Sequence, residues 1–485
     1  MRKRRVAAQV LSEIMSRAPH SADVRVGVPG EARSVLARKV TDVLTSTNGA
    51  ARREGIVRIT VPLEETPDLL AWLRLRPEGA RSYWSGRRDG QAVAASGEAD
   101  VVEGRSAPRT GELRKALEAR LAWAGPGVRY FGGLRFDAAR RADRAWEPFG
   151  AYRFVLPRFE VVRNAGGGTL VCNVVLPRDR ERVHDLLEEI ERLATPATPL
   201  TGTLPLPVDR TDEPDFRVWQ DAVRTALRAF DDTTLEKVVL ARQVGFRFED
   251  DLDPFLLLER LQEATPNCFH YLFEPEAGYT FLGATPERLF RREGRSVWSE
   301  AVAGTRPRGT TRRDDDQLRD ELLHSEKDLR EHAYVRDSIR AVLEPLTEHL
   351  QIDAMPSEMP LARGRHLYTG MRGRLREGVS TFTLLERLHP TPAVGGYPRD
   401  AALDMIRTLE PFDRGWYAGP VGWVGDGVAE FAVALRCGRV AGRQLSLFSG
   451  AGLVRGSTPE AEWDEIEHKI VDFLRVMGLD LRRAE

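Results

Sequence analysis

The chain predicts an α+β fold with substantial antiparallel sheet, and three observations carry that prediction. Strand and helix patterns arrive in blocks rather than in strict alternation, which argues against a doubly wound parallel sheet. Residues 237–248 alternate, with Val238, Leu240, Val244, Phe246 and Phe248 on one face and Lys237, Val239, Ala241 and Gln243 on the other. Residues 159–163 and 169–175 flank Asn164-Ala165-Gly166-Gly167-Gly168 and read as a hairpin.

The other elements follow from periodicity and turn chemistry. Helices are predicted near 111–122 and 180–193. The stretch 195–214 holds five prolines, several threonines and no periodicity, so it reads as a linker. Beyond it Phe216, Trp219, Val223, Ala226, Leu227 and Phe230 recur at helical spacing. A long helix is predicted over 317–350 and another over 460–477, with strands over 366–375 and 430–437. No internal repeat stands out.

At 485 residues the chain has room for two or three domains or one large fused core. Hydrophobic residues make up 42% and charged residues 30%, an ordinary globular balance. The net charge of −1 gives no reason to expect nucleic acid or an anionic membrane as partner. Cys172, Cys268 and Cys437 are odd in number and far apart, which suits a reducing, cytoplasmic setting. The basic start, Met1 to Arg5, precedes a stretch too short and polar for a secretory core, and reads as the end of an amphipathic helix. No apolar run is long enough to cross a bilayer.

Candidate chemistry begins with carboxylates. Asp328 and Glu331 are neighbours on one helix face, and Glu331 interrupts an inward row of Val335, Ile339 and Val342. Glu462, Glu465 and Lys469 repeat the device at the border of the apolar face of Trp463, Ile466, Ile470 and Phe473. Each cluster alone reads as a solvated face; together they could hold one hard cation through oxygen. Lys237, opening an apolar strand, is either an edge charge or a desolvated base. Glu287, after Thr285-Pro286, is either a helix-start carboxylate or a general acid. Residues 303–309 could bring amides to an anion, and Arg436 suits a bidentate carboxylate. Gly450-Ala451-Gly452 superficially suggests a dinucleotide loop, but Arg455 stands at the third glycine's place and no βαβ unit follows.

Taken in order, several segments resemble the chorismate-binding enzyme family. They are Lys237-Val-Val-Leu-Ala-Arg242, Phe281-Leu-Gly-Ala-Thr-Pro-Glu-Arg288, Ala303-Gly-Thr-Arg-Pro-Arg-Gly309 and Ser325-Glu-Lys-Asp-Leu-Arg-Glu-His332. They continue with His389-Pro-Thr-Pro-Ala-Val-Gly-Gly396, Tyr417-Ala-Gly-Pro-Val-Gly422, Ser449-Gly-Ala-Gly452 and Glu462-Trp-Asp-Glu-Ile-Glu-His-Lys469. Phe131-Gly-Gly-Leu-Arg-Phe136 and Phe154-Val-Leu-Pro157 extend a weaker likeness toward the N-terminus.

The resemblance implies a chorismate-utilising fold of two interleaved halves, with a mainly antiparallel core and outer helices. It divides the chain into an N-terminal region, 1–205, that contributes to the common core and a catalytic region, 215–477. It implies Lys237 as base and Glu287 as acid, which requires burial to push both pKa values toward neutrality. It implies magnesium at Glu331 and Glu465, supported by Asp328 and Glu462. Substrate-binding positions carried over are Gly304, Thr305, His366, Ala393, Tyr417, Arg436, Gly450 and Lys469. Lysine at 237, where ammonia-using members carry glutamine, and alanine at 303, where aminodeoxychorismate synthases carry lysine, resemble the water-using members. The segment 389–394 is nearer isochorismate than salicylate synthases. The expected partner is the small molecule chorismate, with no glutamine amidotransferase subunit and a monomer or weak homodimer. A salicylate synthase, a dinucleotide oxidoreductase and a non-catalytic binder are the rival readings.

Overall fold

A computed structural model describes residues 28–46, 54–76, 79–87, 90–106, 111–193 and 200–479. The basic start and the amphipathic stretch after it lie outside the described residues. Every strand ladder among the described residues is antiparallel. The one parallel pairing among the described residues is an isolated bridge between Ile56 and Ala124.

The ladders form two halves. The first runs Pro207–Glu213, Lys237–Phe248, Gln444–Leu453, Cys437–Ala441, Tyr279–Thr285, Phe269–Glu276, Arg81–Ser85, Ala92–Gly104 and Tyr152–Asn164, ending on Gly167–Leu176 and Gly55–Leu63. The second leaves Tyr152–Asn164 through Arg129–Leu134, Pro420–Gly425, Val428–Val433, Arg288–Glu293, Ser296–Pro307 and Gly364–Leu375. The halves are interleaved in sequence: Arg81–Ser85, early in the chain, pairs with Phe269–Glu276. Residues of both halves, among them Phe281 from the first and Phe131 and Phe431 from the second, share one apolar core with Trp146, Phe149 and Trp416. A second core, including Leu36, Trp72, Leu186, Leu257 and Phe473, joins helices to the first half through Leu272, Leu282 and Leu447.

Four predicted elements are corrected. The long helix is two, Arg312–His324 and Glu326–Leu343, followed by a 3-10 turn and the strand Thr347–Ile352. Ser325 makes the break: its hydroxyl accepts from the Asp328 amide at 3.3 Å, the N-cap bond that starts a new helix. The expected linker contains the strand Pro207–Glu213, which pairs with Lys237–Phe248 despite its proline-rich setting. The strand expected over 430–437 is split into Val428–Val433 and Cys437–Ala441, with Arg436 in the gap at φ 44°. The C-terminal helix also breaks, at Ile470, into Pro459–Lys469 and Val471–Val476. The helix Phe216–Asp232 and the strand Lys237–Phe248 form where the periodicity places them.

Candidate active site

Lys237 opens its strand fully buried. The short strand Gly396–Tyr397 lies against it, Tyr397 opposite Lys237. Gly396 permits that approach: a Cβ there would sit 2.2 Å from the Lys237 carbonyl. The Lys237 ammonium donates to Glu331 Oε1 at 3.0 Å. Glu287 does not begin a helix, as its Thr-Pro context suggested. It sits in the turn between the strands Tyr279–Thr285 and Arg288–Glu293. Burial pushes its carboxyl up to about 8; the nearby Glu300 adds to the rise, while Lys237 and Lys469 oppose it. A carboxyl in that state keeps its proton at neutral pH and can give it away.

Glu287 lines one cavity that opens to solvent; Lys237 is not on its lining but lies beside two residues that are, Glu331 and Gly452. Glu287, Gly304, Thr305, Glu331, His366, Ala393, Tyr417, Arg436, Gly450, Glu465 and Lys469 all line it. Lys237 reaches its edge through Glu331, and Asp328 and Glu462 stand behind the lining rather than in it.

The fold explains these placements. A bulge between Ala303 and Thr305 puts Gly304 at φ 73° and sets Thr305 opposite His366. His366 Nδ1 lies 3.2 Å from the Gly304 carbonyl, which can only accept, so that nitrogen carries the hydrogen. Nε2 is then free to accept from Arg436 Nη2 at 3.2 Å. Burial, with Arg436 beside it, lowers the imidazole pKa to about 3, so the ring is neutral. Arg436 and Ala418 are the two non-glycine residues at positive φ among the described residues. Arg436 lines the cavity and Ala418 follows Tyr417, so the strained backbone is gathered at the site. Arg414, buried against Glu410, donates to the carbonyls of Val394 and Val239, both of which line the cavity.

Every candidate cation ligand already faces a basic group. Glu331 holds Lys237, Glu465 holds Lys469 at 2.7 Å, Asp328 holds Arg306 at 2.6 Å and Glu462 holds Lys327 at 3.3 Å. Among the described residues no three His, Cys, Asp or Glu side chains form a ready metal cage. Two carboxylates on one cavity, Glu331 and Glu465, nevertheless fit a magnesium ion, which commonly takes only one or two from protein.

Three lining residues had no substrate-site role assigned from the sequence. Ser449 has a buried hydroxyl with no partner, and it lines the cavity. Phe448 stacks on Tyr417 at 5.4 Å. Gly452 lies in the strand Gln444–Leu453, which rules out a dinucleotide loop there, and a Cβ on it would stand 2.7 Å from Glu331 Oε1. The segment 449–452 contains Ser449 and Gly452 but not Phe448, and sequence does not tell which face of a buried strand meets a cavity.

A family model described as chorismate-binding enzyme matches residues 42–478. Isochorismate synthase 2 of Arabidopsis thaliana, a chloroplastic protein, is 33% identical over 87% of this chain and 80% of its own length. Isochorismate synthase MenF of Bacillus subtilis is 34% identical over 75% of this chain and 78% of its own. Among solved structures, the menaquinone-specific isochorismate synthase MenF of Escherichia coli superposes with a TM-score of 0.80 at 27% identity, covering 92% of this chain and 99% of that one.

Proposed function

Since this chain belongs to the chorismate-binding enzyme family, we propose that it is an isochorismate synthase, moving the hydroxyl of chorismate from C4 to C2. One observation carries the reading: a buried carboxyl that keeps its proton near neutral pH lines a cavity walled also by Glu331, the carboxylate that Lys237 holds, and it feels the charge of that lysine. An acid and a base that serve one bound ring are what a hydroxyl transfer needs.

In the proposed mechanism Lys237, as the free amine, takes a proton from water as that water's oxygen bonds to C2. The two ring double bonds each shift by one place, the C4–O bond breaks, and Glu287 gives its proton to the departing oxygen, which leaves as water. The charges balance: one proton enters Lys237 and one leaves Glu287. Arg436 and Lys469, cationic and on the lining, suit carboxylates of the substrate. His366, neutral and fixed by Gly304, orients Arg436. Ser449 offers an unused hydroxyl, and Gly304, Thr305, Ala393, Tyr417 and Gly450 shape the remaining wall. Magnesium held by Glu331 and Glu465, with Asp328 and Glu462 behind them, would neutralise carboxylate charge on the ligand. A solved structure described as menaquinone-specific and a relative named for salicylate biosynthesis both resemble this chain, so the reaction is proposed without a pathway.

The test is incubation of the purified protein with chorismate and magnesium, followed by chromatographic identification of the products. Isochorismate alone is the expected outcome. Salicylate with equimolar pyruvate would reassign the chain to the eliminating branch, and unconsumed chorismate would overturn the reading.

A further inference from the structure

Glu287 sits on a turn whose flanking peptide groups are both held by one buried ion pair. Arg87, from the loop after the strand Arg81–Ser85, donates through Nη1 to the Pro286 carbonyl and to Glu300 Oε1, and through Nη2 to Glu300 Oε2 at 2.8 Å. Glu300, on the strand Ser296–Pro307, accepts through the same Oε1 from the Arg288 amide at 2.8 Å. Thr285 anchors the turn's other side by donating to the Val433 carbonyl at 2.7 Å. Arg87 is 8% exposed and Glu300 2%, so water does not compete for these bonds. A pair this deep gives up the hydration of two ions, and a well-packed apolar pair could fill the space at similar or lower cost. What an apolar pair could not do is bond the carbonyl before Glu287 and the amide after it.

We propose that Arg87 and Glu300 are positioning residues for the reaction: together they clamp the 286–288 turn so that the Glu287 carboxyl is aimed into the cavity. The inference rests on the reading of Glu287 as proton donor. The clamp has a second consequence. Glu300 stands on the strand beside Glu287, and its negative charge disfavours ionisation of the acid. The other charged groups around Glu287 are Lys237 and Lys469, which oppose that effect, and Arg436, Glu331 and Glu465 on the cavity wall. Behind the turn lie Arg87 and Arg288, the latter shared between Glu300 and Glu430, with Tyr368 near Arg87 and Glu300. Arginine suits the clamp because its planar fork reaches a carbonyl and a carboxylate together, which an ammonium cannot match.

The experiment measures kcat and KM for chorismate with magnesium from pH 6 to 10, on the full chain and on Glu300→Gln, Arg87→Lys and Glu287→Gln. Glu300→Gln keeps an oxygen for the Arg288 amide and removes the charge. Its alkaline limb in kcat is expected about 1 pH unit or more below that of the wild type. Arg87→Lys is expected to lower kcat about 10- to 100-fold, with KM changed far less, because a small misplacement of the acid costs rate rather than binding. A Glu300→Gln profile superimposed on the wild type, or an Arg87→Lys variant with wild-type kcat, overturns the clamp. Should Arg87→Lys fail to fold, as thermal melting would reveal, the Glu300→Gln profile decides alone. An active Glu287→Gln variant overturns the acid assignment and the clamp with it; an inactive one with an unmoved Glu300→Gln limb overturns the clamp only.

Discussion

Gly452→Ala tests the site geometry with a single methyl group. Gly452 pairs with Val239 in a continuous ladder, so its backbone cannot retreat without disturbing the strand that carries Lys237. A Cβ at 452 would lie 2.7 Å from Glu331 Oε1 and 3.1 Å from Lys237 Cε. Ordinary van der Waals contact begins near 3.4 Å, so the carboxylate must move by roughly 0.7 Å and the lysine stem by roughly 0.3 Å. Glu331, 18% exposed, can swing outward, but doing so breaks its 3.0 Å bond to the lysine. Displacements of this size at reacting groups cost about 10- to 100-fold in rate. The extended backbone accepts alanine, but the forced contact and the loss of the buried lysine's partner outweigh the small gain from limiting the unfolded chain, so some stability is lost. The assay is chorismate turnover against magnesium concentration, alongside thermal melting. The expectation is a lowered kcat and a higher magnesium requirement in a protein that still melts cooperatively, at a lower temperature than the wild type. Wild-type kcat/KM and wild-type magnesium dependence together would refute the claim that Lys237 and Glu331 act where the structure puts them.

Lys237→Ala should lower turnover by about 10²- to 10⁴-fold, the usual contribution of a general base, while calorimetry still detects chorismate binding; near-normal rates would remove the assignment. Glu465→Ala should raise the magnesium concentration needed for half-maximal activity, and an unmoved titration would exclude Glu465 as a ligand. Acid should weaken the fold through His270 and His366, whose pKa values fall from 6.5 to about 4 and about 3, chiefly by burial. The unfolded chain binds protons that the folded one refuses, so stability is complete above pH 6.5 and lost as pH drops toward those values, by about 2 kcal/mol per imidazole at pH 5. Equal melting temperatures at pH 7.5 and pH 5 would contradict that assignment.

Much of the fold was legible because alternation and helical spacing are local properties. The strand carrying Lys237 and the helix after Asp215 needed no tertiary information. The breaks were harder. Residues 312–343 keep an amphipathic period through Ser325, and only the side-chain cap to Asp328 reveals that one helix ends there and another begins. The strand Pro207–Glu213 was hidden because an edge position tolerates prolines and polar residues that a central strand would not. Glu287 was misplaced locally for a similar reason: threonine and proline suit a helix start, but the chain after them is drawn into a ladder with Val428–Val433.

The site divides along the same line. Residue types in order marked out the carboxylates and lysines, but the sequence could not say which carboxylate meets which lysine. Glu331 reads locally as a helix-face charge next to Lys327, Arg330 and Asp328, and the structure instead joins it to a lysine 94 positions earlier. The same holds for Arg87, which nothing in its own neighbourhood distinguishes from other surface arginines. Its role depends on Glu300 and the Pro286 carbonyl, brought to it because the strand before it pairs with Phe269–Glu276 from the later half of the chain. The interleaving therefore has a chemical consequence. A region that supplies none of the proposed reacting groups still fixes the orientation of the acid, so a disturbance near Arg81–Ser85 should reach Glu287 through Arg87 before it reaches Lys237.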